Sequence, residues 1–133
     1  MKKHHLLTPF LGIGFLLSLF FSCNSSTTES TFDSSKLRIA SQEEIEKVIE
    51  QFVLAEDSTV IEIPSGFYAM KTQLILDNKN HITIKGSGLT ETVLSFRDLK
   101  AGGEGVKLVG NNITIQDLSV EDAPGDGIKS QHC

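Results

Sequence analysis

The chain has no Trp, one Tyr, two Cys and three Pro. Beyond residue 22, Phe67 and Tyr68 are the only adjacent aromatic pair. The broad ring platform on which sugars or bases stack is therefore missing. Cys23 and Cys133 supply neither a disulfide framework nor the paired spacing of a metal site. Basic residues are in deficit. Twelve Lys and Arg against 17 Asp and Glu leave a formal net charge of −5, which excludes nucleic acid as a partner because that contact needs a basic stripe. No Asn-Gly or Asp-Gly pair sits between two alternating apolar runs, as a tight hairpin would want; Asp126-Gly127 comes nearest, and no strand follows it. The longest predominantly apolar run, Leu6 to Phe21, is 16 residues and carries no charge. As a helix it would span roughly 24 Å, short of the ~30 Å hydrocarbon core of a bilayer.

That run opens what the chain does have. Lys2 and Lys3 precede it, the pattern of a secretory leader. An ordinary cleavage site wants small residues of the A-x-A kind, yet no Ala occurs before Ala40. Leu19-Phe20-Phe21-Ser22-Cys23 follows instead, a small residue directly before Cys, which resembles the lipobox of bacterial lipoproteins. Phe20 and Phe21 are bulkier than the usual residues there. The resemblance implies a signal peptide over 1–22, lipidation at Cys23 and a membrane partner held through the lipid. It also implies an exported protein anchored in the cell envelope, at the outer membrane or on a periplasmic or surface face. The plainer reading is an ordinary leader in which Cys23 is incidental. Residues 23–36 are expected to be a flexible tether, because eight of the twelve residues Asn24 to Ser35 are Ser or Thr and cannot offset their ordering entropy. Loss of the two leader lysines takes the net charge from −5 to −7.

Ser41-Gln42-Glu43-Glu44 has the form of a capping box. Behind it Ile45, Val48, Ile49, Phe52 and Val53 fall at offsets 0, 3, 4, 7 and 8, one apolar face of a helix ending near Ala55. The period then changes to two. Short strands are expected at Val60–Ile63, Leu74–Leu76, His81–Ile84, Thr92–Phe96, Val106–Val109, Ile113–Ile115, Leu118–Val120 and Gly127–Lys129, separated by Gly, Asn and Asp corners. The apolar phase flips between Ile115 and Leu118, which requires a corner or bulge there. Asn80, Asn111 and Asn112 are expected at corners in the left-handed region. The motifs repeat: Asn80-His81-Ile82-Thr83-Ile84 matches Asn111-Asn112-Ile113-Thr114-Ile115 at an offset of 31, and Ile61-Glu62-Ile63 matches Ile82-Thr83-Ile84 at 21. Arg97 to Gly105 reads as a loop thrown out of one corner. Units of this length suggest stacked coils in which Ile61, Ile63, Ile82, Ile84, Ile113 and Ile115 line up inside.

An amphipathic helix, then VIEIPSGFY, ITIKGSG, NITIQDLSV and GDGIK, resembles the start of a right-handed parallel β-helix of the pectate-lyase-like superfamily, nearest to the β-helix-repeat lipoproteins of bacteria. The resemblance covers residues 37–133. It implies an all-β solenoid whose N-terminal helix caps the first coil. The last coil has no such cover in the sequence, so 37–133 is expected to be the N-terminal part of a longer solenoid.

Chemistry could sit on Asp117, Glu121, Asp122 and Asp126, whose carboxylates are candidate Ca²⁺ ligands in the manner the resemblance implies. Asp122, Asp126 and Lys129 are the candidate catalytic residues, as carboxylate acid–base groups and a basic proton acceptor. The plainer reading makes Asp122 and Asp126 turn residues, Asp117 and Glu121 solvated positions and Lys129 an exposed cation. His81, Thr83 and Lys85 alternate outward as a polar face for sugar hydroxyls. Gly86-Ser87-Gly88 lacks the third Gly and the helix of a dinucleotide site. His132-Cys133 lacks a second ligand pair, and no cofactor other than Ca²⁺ is indicated. Two functions follow: a non-catalytic envelope module recognising carbohydrate or a partner along its outer face, or a polysaccharide lyase, hydrolase or epimerase with its catalytic residues in coils after Cys133.

Overall fold

Helix α1 spans Gln42–Leu54 and starts as its sequence requires. Ser41 Oγ accepts from the Glu44 N–H at 3.2 Å, and Glu44 Oε2 accepts from the Ser41 N–H at 2.7 Å. This is the view given by a computed structural model, which describes residues 33–132. Cys23, Cys133 and the leader lie outside those residues. A single 3-10 turn, Ser34–Lys36, falls within the stretch read as tether. Ile45, Val48 and Phe52 are buried in the core, and Ile49 packs partly against it. Val53 departs from the expected face and is 71% exposed. At 3.6 residues per turn it stands about 80° round the helix from Ile45, past the edge of the apolar stripe.

Nine short strands follow: β1 Val60–Glu62, β2 Gly66–Ala69, β3 Leu74–Asn80, β4 Thr83–Lys85, β5 Thr92–Ser95, β6 Val106–Asn111, β7 Thr114–Gln116, β8 Ser119–Glu121 and β9 Ile128–Gln131. They form three sheets, β1-β4-β7, β2-β5-β8 and β3-β6-β9, and every pairing is parallel. Each circuit of the chain therefore adds one strand to each sheet, the topology of a β-solenoid. Strand β2 was not expected, because Gly-Phe-Tyr-Ala has no alternation of its own; pairing with Thr92–Ser95 makes it a strand.

The register corrects one repeat. Ile61 pairs with Ile84, 23 residues on, and not with Ile82, whereas the offset of 31 between Thr83 and Thr114 is as expected. Ile61, Ile84 and Ile115 thus form one inward row, and Tyr68, Leu94 and Val120 another. Burial falls along the rows: Ile61 and Ile84 are closed from solvent, while Ile115 and Val120 are only partly buried. Tyr68 is fully buried, with its hydroxyl donating to the Pro64 carbonyl at 3.0 Å.

The corners also align. Ser58, His81 and Asn112 adopt φ of 67°, 57° and 54°, the left-handed region. The residue before each joins a ladder: Asp57 Oδ1 accepts from the Asn80 N–H at 2.8 Å, and Asn111 Nδ2 donates to Asn80 Oδ1 at 2.9 Å. Of the three Asn expected in this conformation only Asn112 holds it; Asn80 and Asn111 end strands and use their amides across the coils. The expected corner after Ile115 is Asp117, at φ 57°.

Candidate functional site

Parallel pairing in register carries outward residues as well as inward ones. On the outer face of β1-β4-β7, Glu62, Lys85 and Gln116 form one file, and Val60, Thr83 and Thr114 another. Where the first file meets the corner, a cleft of about 580 Å³ opens, lined by Glu62, Ile63, Pro64, Lys85, Gly86, Ser87 and Asp117. Its size is that of a small-ligand site.

Gly86 makes the cleft possible. A Cβ there would fall on the Asp117 carbonyl oxygen and within 2.8 Å of Leu118 Cβ, so the third coil can close on the second only over a glycine. The floor is tied down from within. Thr92 Oγ1 accepts from the Ser87 N–H at 2.9 Å and reaches the Pro64 carbonyl at 3.2 Å. The Gly86 N–H donates to the Gln116 carbonyl at 3.0 Å, and the Gly88 N–H to that of Asp117 at 2.8 Å. All three amides of Gly86-Ser87-Gly88 are thus engaged, so this loop cannot cradle a phosphate as anion-binding Gly loops do. What remains facing the cleft is the side-chain set of Glu62, Asp117, Lys85 and Ser87. Glu62, Lys85 and Asp117 form no ion pair or side-chain hydrogen bond with any described residue.

The residues singled out from sequence are placed apart. Asp117 lies in the cleft. Glu121 stands on β8, paired with Ser95. Asp122, at φ 57°, accepts from Ser95 Oγ at 2.9 Å and from Arg97 at 3.1 Å, so it closes a corner. Asp126 is exposed, and its backbone carbonyl accepts from the Gly105 N–H at 2.9 Å. Lys129 is paired with Glu104 at 2.7 Å, and Glu104 also accepts from Gln73 at 2.6 Å, a rung from each of three coils. Among the described residues no group of three or more His, Cys, Asp or Glu is arranged to hold a metal ion. Asp117, Glu121, Asp122 and Asp126 are therefore not gathered into a Ca²⁺ site. Glu62 and Ser87 were not singled out from sequence; the available signal was that Glu62 and Lys85 each follow the inward Ile of their repeat.

Two carboxylates are held well below their usual range. The hydrogen bonds from Lys129 and then Gln73 bring Glu104 to about 2, and Glu104 in turn raises Lys129. Arg38, bound bidentately at 2.8 and 3.0 Å, brings Glu44 to about 2, helped by the Ser41 N–H. A carboxylate whose folded pKa is depressed contributes stability above its unfolded value, and that contribution is lost as pH falls. Acid titration should therefore leave stability little changed down to about pH 4.5 and reduce it between there and about pH 2. Glu104→Gln should flatten part of that slope in denaturant midpoints measured against pH; an unchanged slope would remove Glu104 from the cause.

No family model matches the chain, and neither the curated proteins nor the solved structures compared with it contain a similar one.

Proposed function

We propose that this chain is an exported, lipid-anchored protein of the bacterial cell envelope, built on a right-handed parallel β-helix that recognises carbohydrate on the outer face of β1-β4-β7. The observation that carries the recognition is the cleft, in which three coils contribute charged and hydroxyl groups that no other described residue engages. A right-handed coil is supported by the strong bias of parallel crossovers, roughly 98% of which are right-handed. The buried Ile45, Val48 and Phe52 face supports a capping role for α1, which would shield an apolar cross-section from water. The anchor rests on the leader and Cys23. Catalysis by Asp122 or Lys129 is disfavoured by their use in structural pairs.

Expression of the full chain with Cys23→Ser should move it from the membrane fraction to the soluble one and abolish incorporation of labelled fatty acid. Retention of the label would overturn the anchor. Binding of soluble oligosaccharides to the full chain, mapped by loss in a Lys85→Ala variant, tests the face itself.

A further inference from the structure

We infer that the free edge of β1 docks an extended segment of a partner protein, apolar at alternate residues and basic at its ends, which adds as a strand on the side away from β4. In a parallel pair each residue turns its N–H and C=O to the same neighbour, and the next residue turns both away. The Ile63 N–H donates to the Lys85 carbonyl at 2.8 Å, and the Thr59 carbonyl accepts from the Thr83 N–H at 3.0 Å. With Ile61 in register between them, residues 59, 61 and 63 serve β4. Val60 and Glu62 therefore turn two N–H and two C=O groups to the other side, where no described residue bonds them. The first coil's other two edges are closed. Along β2 the Arg38 carbonyl accepts from the Phe67 N–H and the Ala40 N–H donates to the Phe67 carbonyl, both at 2.8 Å, so an extended segment of this chain already adds there in parallel. Helix α1 packs against β3.

At β1 a groove of about 280 Å³ stands instead, with Glu50, Gln51, Leu54 and Ala55 on one wall and residues 59–61 on the other. A narrower groove of about 100 Å³ shares Gln51 and carries on to Glu62 and Pro64. The two follow the edge from Thr59 to Pro64, room for a strand of about five residues at ~3.3 Å each. Leu54 is 66% and Val60 58% exposed, so the apolar side chains of an incoming strand have a surface to cover. Backbone pairing gives such a site affinity, and the side-chain contacts give it choice. The charge favours a basic segment. Glu50 and Glu62 form no ion pair with any described residue, and Lys47, the one cation lining either groove, is held by Glu43 at 3.4 Å. Pairing with β1 of a second copy would bring both pairs of acids to one seam, where like charges oppose it.

The test is amide hydrogen exchange, read by NMR, on the full chain in mild detergent with and without the peptide acetyl-Lys-Val-Thr-Val-Thr-Val-Lys-amide. The Val60 and Glu62 amides should exchange about tenfold more slowly when the peptide is added, while Ile61, already bonded to β4, should not change. Affinity should fall about tenfold in Val60→Pro, which removes one edge N–H; proline is tolerated on an edge strand, so the melting temperature should hold. The same peptide N-methylated at every Val and Thr should not bind, and one with Glu in place of both Lys should bind more weakly. Failure of the lysine peptide to bind, or binding that leaves exchange at 60 and 62 unchanged, would overturn the docking edge. Equal binding of the N-methylated peptide would overturn strand pairing, and equal binding of the Glu-ended peptide would overturn the basic partner. Slow exchange at 60 and 62 without peptide, together with a doubled protein mass in sedimentation, would overturn the partner in favour of a second copy.

Discussion

Replacing Gly110 with Ala should cost about 3 kcal/mol of stability, the upper range for a single backbone-strain substitution. Gly110 pairs with Lys79 at the point where the β3–β6 register shifts past Leu76. Its φ is +154°, and a Cβ added there would lie on the Lys79 carbonyl oxygen, with the Lys79 carbonyl carbon at 2.8 Å. The clash is with backbone, which no rotamer relieves. Relief would require opening the longest pairing in the structure, β3 with β6. Gly103 supplies the control, because nothing lies within 4 Å of its added Cβ. Gly103→Ala should stay within about 0.5 kcal/mol of the parent. Denaturant midpoints compare the two, and equal midpoints would refute the close approach at Gly110.

The second large effect belongs to the inward isoleucine row. Ile84 is 1% exposed, between Ile61 and Ile115 in register. Truncation to Ala removes buried methyl groups and leaves a cavity that parallel ladders on both sides keep from collapsing. A loss of about 3 kcal/mol is expected, against about 1 kcal/mol for Ile84→Val. For a domain of this size the Ala variant should melt roughly 10–20 °C lower. Ile115→Ala, in the same row but only partly buried, should cost less than half as much. Thermal unfolding followed by circular dichroism orders the three, and an Ile115→Ala loss equal to that of Ile84→Ala would contradict the row as described.

How far these features could be read in advance depends on the range of the interaction behind each. Helix α1 was legible because its capping box and 3.6-residue period are local. Most strands were legible for the same reason, whereas β2 owes its conformation to a partner 26 residues away. The misassigned repeat shows a subtler limit. Sliding Ile61 from Ile84 to Ile82 still sets Ile on Ile, because a slip of two residues preserves the side-chain face. What distinguishes the registers is the corner: Ser58, His81 and Asn112 share the left-handed conformation at the observed spacings. Asp122 and Lys129 were singled out as reactive groups because their partners, Ser95, Arg97 and Glu104, lie 25 to 27 residues earlier in the chain. The cleft depends on the same long-range register, so Glu62 and Ser87 carry no mark in the sequence by themselves.

Register also decides whether Glu62, Lys85 and Asp117 meet at all, and disulfide trapping measures it directly. In a chain with Cys23 and Cys133 replaced by Ser, cysteines would be placed at 62 and 85, and separately at 62 and 83. Partners in adjacent strands stand about 4.8 Å apart, and a two-residue offset raises this to about 8 Å, beyond the ~7 Å that a disulfide can bridge. Mild oxidation should cross-link Glu62→Cys/Lys85→Cys rapidly and leave Glu62→Cys/Thr83→Cys as free thiols. Cross-linking of 62 to 83 in preference to 85 would contradict the register and, with it, the gathering of the cleft.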